Sequence, residues 1–220
     1  MKLLFAVLLG LSSSALAQVQ PFHVNLGLST QVFSARGYDL VDVDDHFHSF
    51  RFGAGTSFVL RTWRLDVEAG VTTGGTDATS HLQLASGLGL VGLDVSATAR
   101  FPVLSWLHPY VRVGAGYDWA TVTVTGAATR MSQTVGVVSG QAGAGVQFSV
   151  RVTRENQRGV FLFLDLGIGG VVRPGAAFSA VAPVPPATPP VDPIGARGSV
   201  NVGTLPLSGI TWRGMAGLRF

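Results

Sequence analysis

The sequence predicts an all-β fold, an eight-stranded antiparallel up-and-down transmembrane β-barrel, on three observations. Apolar and polar residues alternate with a period of two through eight segments. Hydrophobic residues make up 47% of the chain and charged residues only 12%, with 29 glycines, a composition suited to a surface bathed partly in lipid. Aromatic residues gather toward both ends of the alternating segments.

The chain opens with Lys2, an apolar run from Leu3 to Leu11, three serines, and Ala15 and Ala17 flanking Leu16. One positive charge, a short apolar core and small residues two positions apart are the grammar of a secretory signal peptide, which places cleavage after Ala17. The run is well short of the ~20 residues that a membrane-spanning helix needs. Residues 1–17 are therefore expected to be a signal peptide and residues 18–220 one barrel domain. There is no cysteine, so neither a disulfide framework nor a lipid anchor at a cysteine is expected. Lys2 is the single lysine, and the pI near 9.9 rests on arginines dispersed through the strands, a pattern unlike a nucleic-acid interface.

The first segment runs from Phe22 to Val32, apolar at most even positions and polar or small at odd ones. The second, Ser49 to Leu60, sets Phe50, Phe52 and Phe58 against Arg51, Gly53 and Gly55; the third, Trp63 to Val71, sets Leu65 and Val67 against Arg64, Asp66 and Glu68. The fourth, Val91 to Phe101, carries Asp94 and Arg100 on its polar face, and the fifth, Val111 to Trp119, carries Arg112 and Asp118. Val138 to Arg151, Val160 to Gly169 and Ile210 to Phe220 complete the set. Each matches the ~9–11 tilted residues of a membrane-crossing strand. Long links are expected near 35–48, 74–88, 120–134 and 173–207, alternating with short ones, the asymmetry of external loops and periplasmic turns.

A soluble eight-stranded barrel shows the same alternation with its apolar face inward. The aromatics decide between the two. Phe22, Phe58, Trp63, Phe101, Phe148 and Phe220 sit near the short-turn ends, and Phe33, Phe50, Tyr117 and Trp119 toward the long-loop ends, as expected for belts at two water interfaces. In architecture, signal and terminal aromatic the chain resembles the small eight-stranded outer-membrane proteins such as OmpX and the membrane domain of OmpA. The resemblance implies a bacterial outer-membrane location, contact with outer-membrane lipids, and a role for Phe220 as the C-terminal signal read by the barrel assembly machinery. Met215 departs from the usual pattern, which has Gly there.

Little in the sequence carries chemistry. Gly87 to Gly92 formally match a dinucleotide fingerprint but lead into a strand-period segment, so no cofactor is expected. Asp39 to His48 offer carboxylates and two histidines to a divalent cation, although the spacing fits no defined motif and reads as a solvated acidic loop; no metal site is assigned. Catalysis would need His, Ser and a carboxylate on one edge; His23, His46, His48, His81 and His108 are available, with Ser49 and Ser80 beside two of them, but neighbours in a strand face opposite ways. The run Ala182 to Pro193 holds six prolines and favours extended polyproline II, the mark of a surface loop.

The function expected is non-enzymatic: a structural or surface-interaction module working through external loops whose ligand the sequence does not name. The alternatives are a small pore for ions or solutes and a lipid-modifying enzyme. Arg51, Glu68, Asp94, Arg112, Asp118, Asp165 and Arg213 are expected to face one another in the lumen as a charge network, with Glu68, Asp94, Asp165 and Arg213 at similar heights. Phe161 and Phe163 are expected to constrict its periplasmic end, where an eight-stranded barrel is barely wide enough for its own side chains.

Overall fold

A computed structural model describes residues 18–33, 46–60, 62–79, 85–125, 130–153, 159–178 and 203–220. The expected signal segment 1–17, residues 39–45 of the Asp39–His48 stretch, Ser80, His81 and the proline run lie outside them, while His46–His48 open the second strand. Among the described residues ten strands follow in order: β1 (Gln18–Phe33), β2 (His46–Leu60), β3 (Trp63–Thr79), β4 (Ala85–Arg100), β5 (Leu107–Thr125), β6 (Arg130–Arg151), β7 (Phe161–Val172), β8 (Ala176–Phe178), β9 (Gly203–Leu205) and β10 (Gly209–Arg219). Eight of them close a barrel in the order β1-β10-β7-β6-β5-β4-β3-β2, and β8 and β9 form a separate two-stranded sheet. Every pairing in the ring is antiparallel, and β10 closes it against β1 with Leu26 opposite Ala216 and Ser29 opposite Arg213. Pro21, which has no N–H for the ladder, sits where the β1–β2 register shifts between Gln20 and His23, a place at which sheets tolerate proline.

The period-two pattern sorts the residues by solvent. Through the middle of the barrel the outward side chains are apolar and bare: Leu28, Val95, Val113 and Val138 each leave half or more of their surface exposed. The inward ones are polar and covered, among them His23, Asn25, Asp66, Glu68, Arg112 and Asp165. In water this would be an inside-out protein; against hydrocarbon it is the stable arrangement, because closure leaves no strand edge unpaired.

Two of the four long links are much shorter than the sequence suggested. Residues 74–79 and 85–88 belong to β3 and β4, and residues 120–125 and 130–134 to β5 and β6. The reason is an inversion of polarity. Above Trp119 the outward positions of β5 and β6 become hydrophilic, with Thr121 hydrogen-bonded to Thr134 at 2.8 Å and Thr123 to Ser132 at 3.4 Å. The inward positions become apolar at the same height: Leu88, Leu90, Ala120, Val122 and Val137 are buried. Strands β5 and β6, at 19 and 22 residues, exceed the ~9–11 needed to cross a bilayer, and the surplus continues as a barrel of ordinary soluble polarity.

The fourth long link, 173–207, contains the β8–β9 sheet, whose Ala176, Phe178 and Leu205 are buried together with Leu207. They join Phe33, Phe47, Leu88, Leu90, Ala120, Val122 and Val137 in one apolar cluster that fills the loop end of the barrel. Phe33, expected in the outer aromatic belt, is an inward member of this plug, its ring centroid 5.9 Å from that of Phe47. Its odd position in β1 puts it on the lumen side, and the parity outweighs its place near the strand end.

The belt at the termini end is built from cross-strand pairs. Phe22 meets Phe220 at 6.2 Å, Trp63 stacks on Phe101 at 6.4 Å and Trp106 on Phe148 at 6.0 Å. Tyr117 and Trp119, 5.1 Å apart, mark the opposite interface together with exposed Phe50.

Candidate functional site: a polar lumen

Alternation on eight strands aims a ring of polar side chains at the barrel axis, and the interior glycines make room for the longest of them. A Cβ on Gly70 would run into the Arg51 guanidinium, and one on Gly145 or Gly167 into the Tyr110 hydroxyl. The polar interior is arranged in tiers, which the strand register defines.

The central tier joins β1, β2, β3, β4 and β5. Arg51 grips Asp94 with a fork, Nε donating to Oδ2 at 2.9 Å and Nη2 to Oδ1 at 2.7 Å, the strong bidentate geometry of arginine and carboxylate. Its third nitrogen donates to Glu68, which also accepts from Asn25 and lies 3.3 Å from His23 Nε2. Arg112 sits against the same two carboxylates, 3.4 Å from Asp94 and 3.6 Å from Glu68.

The tier nearer the termini centres on Asp66. It accepts from Arg100 Nε at 2.5 Å and Arg64 Nε at 3.1 Å, with Arg219 Nη2 at 3.5 Å. Arg100 reaches on to Asp165 at 3.2 Å, and Arg64 Nη2 donates to the side-chain Oε1 of Gln147 at 2.8 Å. Asp165 therefore lies in this lower tier, not level with Glu68 and Asp94; counting residues from the turns ignores the shear that staggers neighbouring strands. Phe163 is buried beneath the Arg219 guanidinium, 5.3 Å from its ring centroid, and Phe161 is half-buried at the rim.

A third set lies under the plug. Arg173 Nε donates to Asp118 at 2.6 Å, while its Nη1 donates to Gln31 at 2.8 Å and to the Leu207 carbonyl at 3.2 Å, tying the segments that flank β8 and β9 to the barrel wall. Arg213 stands apart: it makes no ion pair among the described residues and donates to the Tyr110 hydroxyl at 3.1 Å. The Tyr110 ring is itself held between the Arg213 and Arg100 guanidinium groups, at 5.4 and 5.1 Å, and so bridges the two main tiers.

The structure thus places Arg51, Glu68, Asp94 and Arg112 in one cluster, Asp165 in a second, Asp118 in a third, and Arg213 at a tyrosine. The expected network leaves out His23, Asn25, Arg64, Asp66, Arg100, Tyr110, Arg173 and Arg219, all of which the structure brings into it. All but Arg173 occupy inward positions of segments whose alternation was already apparent, so parity alone would have found them. Arg173 was read as part of a loop.

Among the histidine and serine pairs, His48 faces outward and bonds Thr30 at 3.0 Å while Ser49 faces inward and bonds Ser29 at 2.6 Å, so the two do not meet. Ser149 Oγ lies 3.4 Å from His108 Nδ1, a contact without a carboxylate hydrogen-bonded to the ring among the described residues. His46 and His48 are 6.4 Å apart between ring centroids, and no group of three metal-ligating side chains gathers among the described residues. Gly87 to Gly92 run inside β4, paired on both sides, without a helix to follow.

No curated protein matches the chain. Among solved structures, Neisserial surface protein A is similar at 13% identity and a TM-score of 0.44, covering 91% of this chain and 97% of its own. The attachment invasion locus protein Ail of Yersinia pestis gives 15% identity and 0.48, covering 91% and 99%, and the N-terminal β-barrel domain of Pseudomonas aeruginosa OprF gives 16% and 0.40, covering 92% and 100%. The family model described as outer membrane protein beta-barrel domain matches residues 3–153, more than half of the sequence. A closed barrel, an oily exterior, a polar lumen and that match together show that the chain belongs to the outer-membrane β-barrel protein family.

Proposed function

We propose that the protein is a closed, non-catalytic outer-membrane barrel that serves as a surface-interaction module, presenting the polar, loop-bearing end of its extended barrel to partners outside the cell. The observation that carries this reading is the apolar plug. A pore needs a continuous wet path, whereas here Phe33, Phe47, Leu88, Leu90, Val122, Phe178, Leu205 and Leu207 fill the loop end above two tiers of ion pairs. The outer surface around that plug is hydrophilic, with Thr121, Thr134, His46 and His48 outward, so the surplus strand length forms a rigid pedestal for the loops. Phe163 in the lower tier, with Phe161 at the rim, adds a constriction at the termini end in this reading. Phe220, whose N–H donates to the Phe22 carbonyl at 3.1 Å, is assigned the assembly signal.

Planar-bilayer recording tests the reading directly. The refolded protein is expected to show no steady conductance, because water and ions have no open route past the plug. Stable unitary channels from the unmutated protein would put the pore reading in its place.

A further inference from the structure

Between the plug and the central tier lies a chamber of about 90 Å³. Phe47 and Leu90 bound it on the loop side, Met215 and the Arg51–Asp94 pair on the other, and Arg213 stands in its wall. By the usual measure of ~10–15 Å³ per water, it has room for several small particles and none for a lipid chain.

The charges around this chamber do not balance. Four arginines, at 51, 112, 173 and 213, meet three carboxylates, at 68, 94 and 118. Each carboxylate is already engaged: Asp94 in the Arg51 fork, Glu68 by Arg51 and Asn25, Asp118 by Arg173. The excess charge is Arg213, a side chain with five N–H donors whose hydrogen bond among the described residues goes to one neutral hydroxyl. A guanidinium keeps its proton at any ordinary pH, so Arg213, partly buried in the chamber wall, stays charged there. The remaining way to neutralise Arg213 is a counter-ion, and the polar groups of Ser139, Gln141 and Thr211 on the same chamber wall suit its hydration shell.

We propose that the chamber holds one small inorganic anion of the chloride class, bound to the Arg213 guanidinium. The site is independent of any partner at the loops. The anion is enclosed when the plug closes over it and exchanges when the barrel unfolds and refolds or when the plug opens, so its binding contributes directly to folding stability.

The test has two arms. In the first, the full barrel refolded in zwitterionic detergent is unfolded with urea at constant ionic strength while chloride replaces gluconate, a bulky organic anion of the same charge. The unfolding midpoint is expected to rise with chloride and level off, to lose that dependence in Arg213→Gln, and to keep it in Arg130→Gln, which removes an exposed arginine at the loop end of β6. In the second, crystals of the wild-type protein grown with bromide are expected to show an anomalous peak in hydrogen-bonding reach of Arg213. The second arm decides the matter alone if Arg213→Gln does not fold. A chloride-independent wild type, an undiminished dependence in folded Arg213→Gln, or bromide density absent from the chamber would overturn the proposal. A larger saturating shift with sulfate would overturn the halide assignment.

Discussion

Glu68 shows how much one side chain is asked to do in a narrow lumen. It neutralises Arg51, accepts from Asn25, touches His23 and offsets part of the charge of Arg112. Replacing it with Ala leaves buried guanidinium groups with too few acceptors, the situation in which breaking a buried pair costs about 3–5 kcal/mol. Asp77, an exposed carboxylate at the loop end of β3, gives the contrast: Asp77→Ala is expected to stay within about 0.5 kcal/mol. Urea unfolding of the two variants in lipid vesicles measures both. That these residues face inward was legible in the sequence, since Arg51, Glu68, Asp94 and Arg112 stand on the polar side of clean alternations. Which of them meet was not, because partners such as Arg51 and Asp94 come from strands that are not neighbours, and the fork between them depends on shear and side-chain reach.

At the scale of elements, the alternation located all eight barrel strands but cut four of them short. The same parity continues through β3 to β6 at the loop end, but with the oily side turned inward, Leu88 and Leu90 in and Gly87 and Gly89 out, so a reading that looks for apolar residues facing lipid stops at the inversion. The three-residue strands β8 and β9 are too short to show a period at all. They form a sheet of their own, held by Phe178 in the plug and by Arg173 at the base, which makes them the weakest link in the closure. Truncating Phe178 to Ala removes a fully buried ring, a change that costs about 3–5 kcal/mol where it is felt. Here the loss is expected to be local: proteolysis between β8 and β9 should quicken, while the heat-modifiable gel shift of the closed barrel persists. The far end of the chain calls for the opposite experiment. Phe220 follows β10, which closes the ring, and pairs with Phe22 of β1, so deleting it should lower the folded fraction recovered from membranes rather than the stability of barrels that do assemble.

At the scale of the whole molecule, the barrel is one closed sheet exposed to two solvents, and the boundary between them is written in its outer surface. On β5 the outward residues run Val111, Val113, Ala115, Tyr117, Trp119, Thr121 and Thr123, so hydrocarbon should end at the aromatic pair and water begin at Thr121. Position 113 stands near the middle of the oily band, where its side chain is 60% exposed, opposite Ala97 on one neighbour and Ala142 on the other. An arginine there has no protein partner on the outer face and must drag its charge into lipid, which costs about 2–4 kcal/mol near the midplane of a barrel. The same residue at 121 meets the interface or water, where the cost falls to about 0–1 kcal/mol. Val113→Arg and Thr121→Arg are therefore expected to differ severalfold in their effect on unfolding from phospholipid vesicles. Equal penalties would mean that the bilayer reaches past Trp119 and that the polar rim around the plug lies in lipid, which would remove the pedestal on which the surface-interaction reading stands; a negligible penalty at 113 would show that its outward face meets water instead.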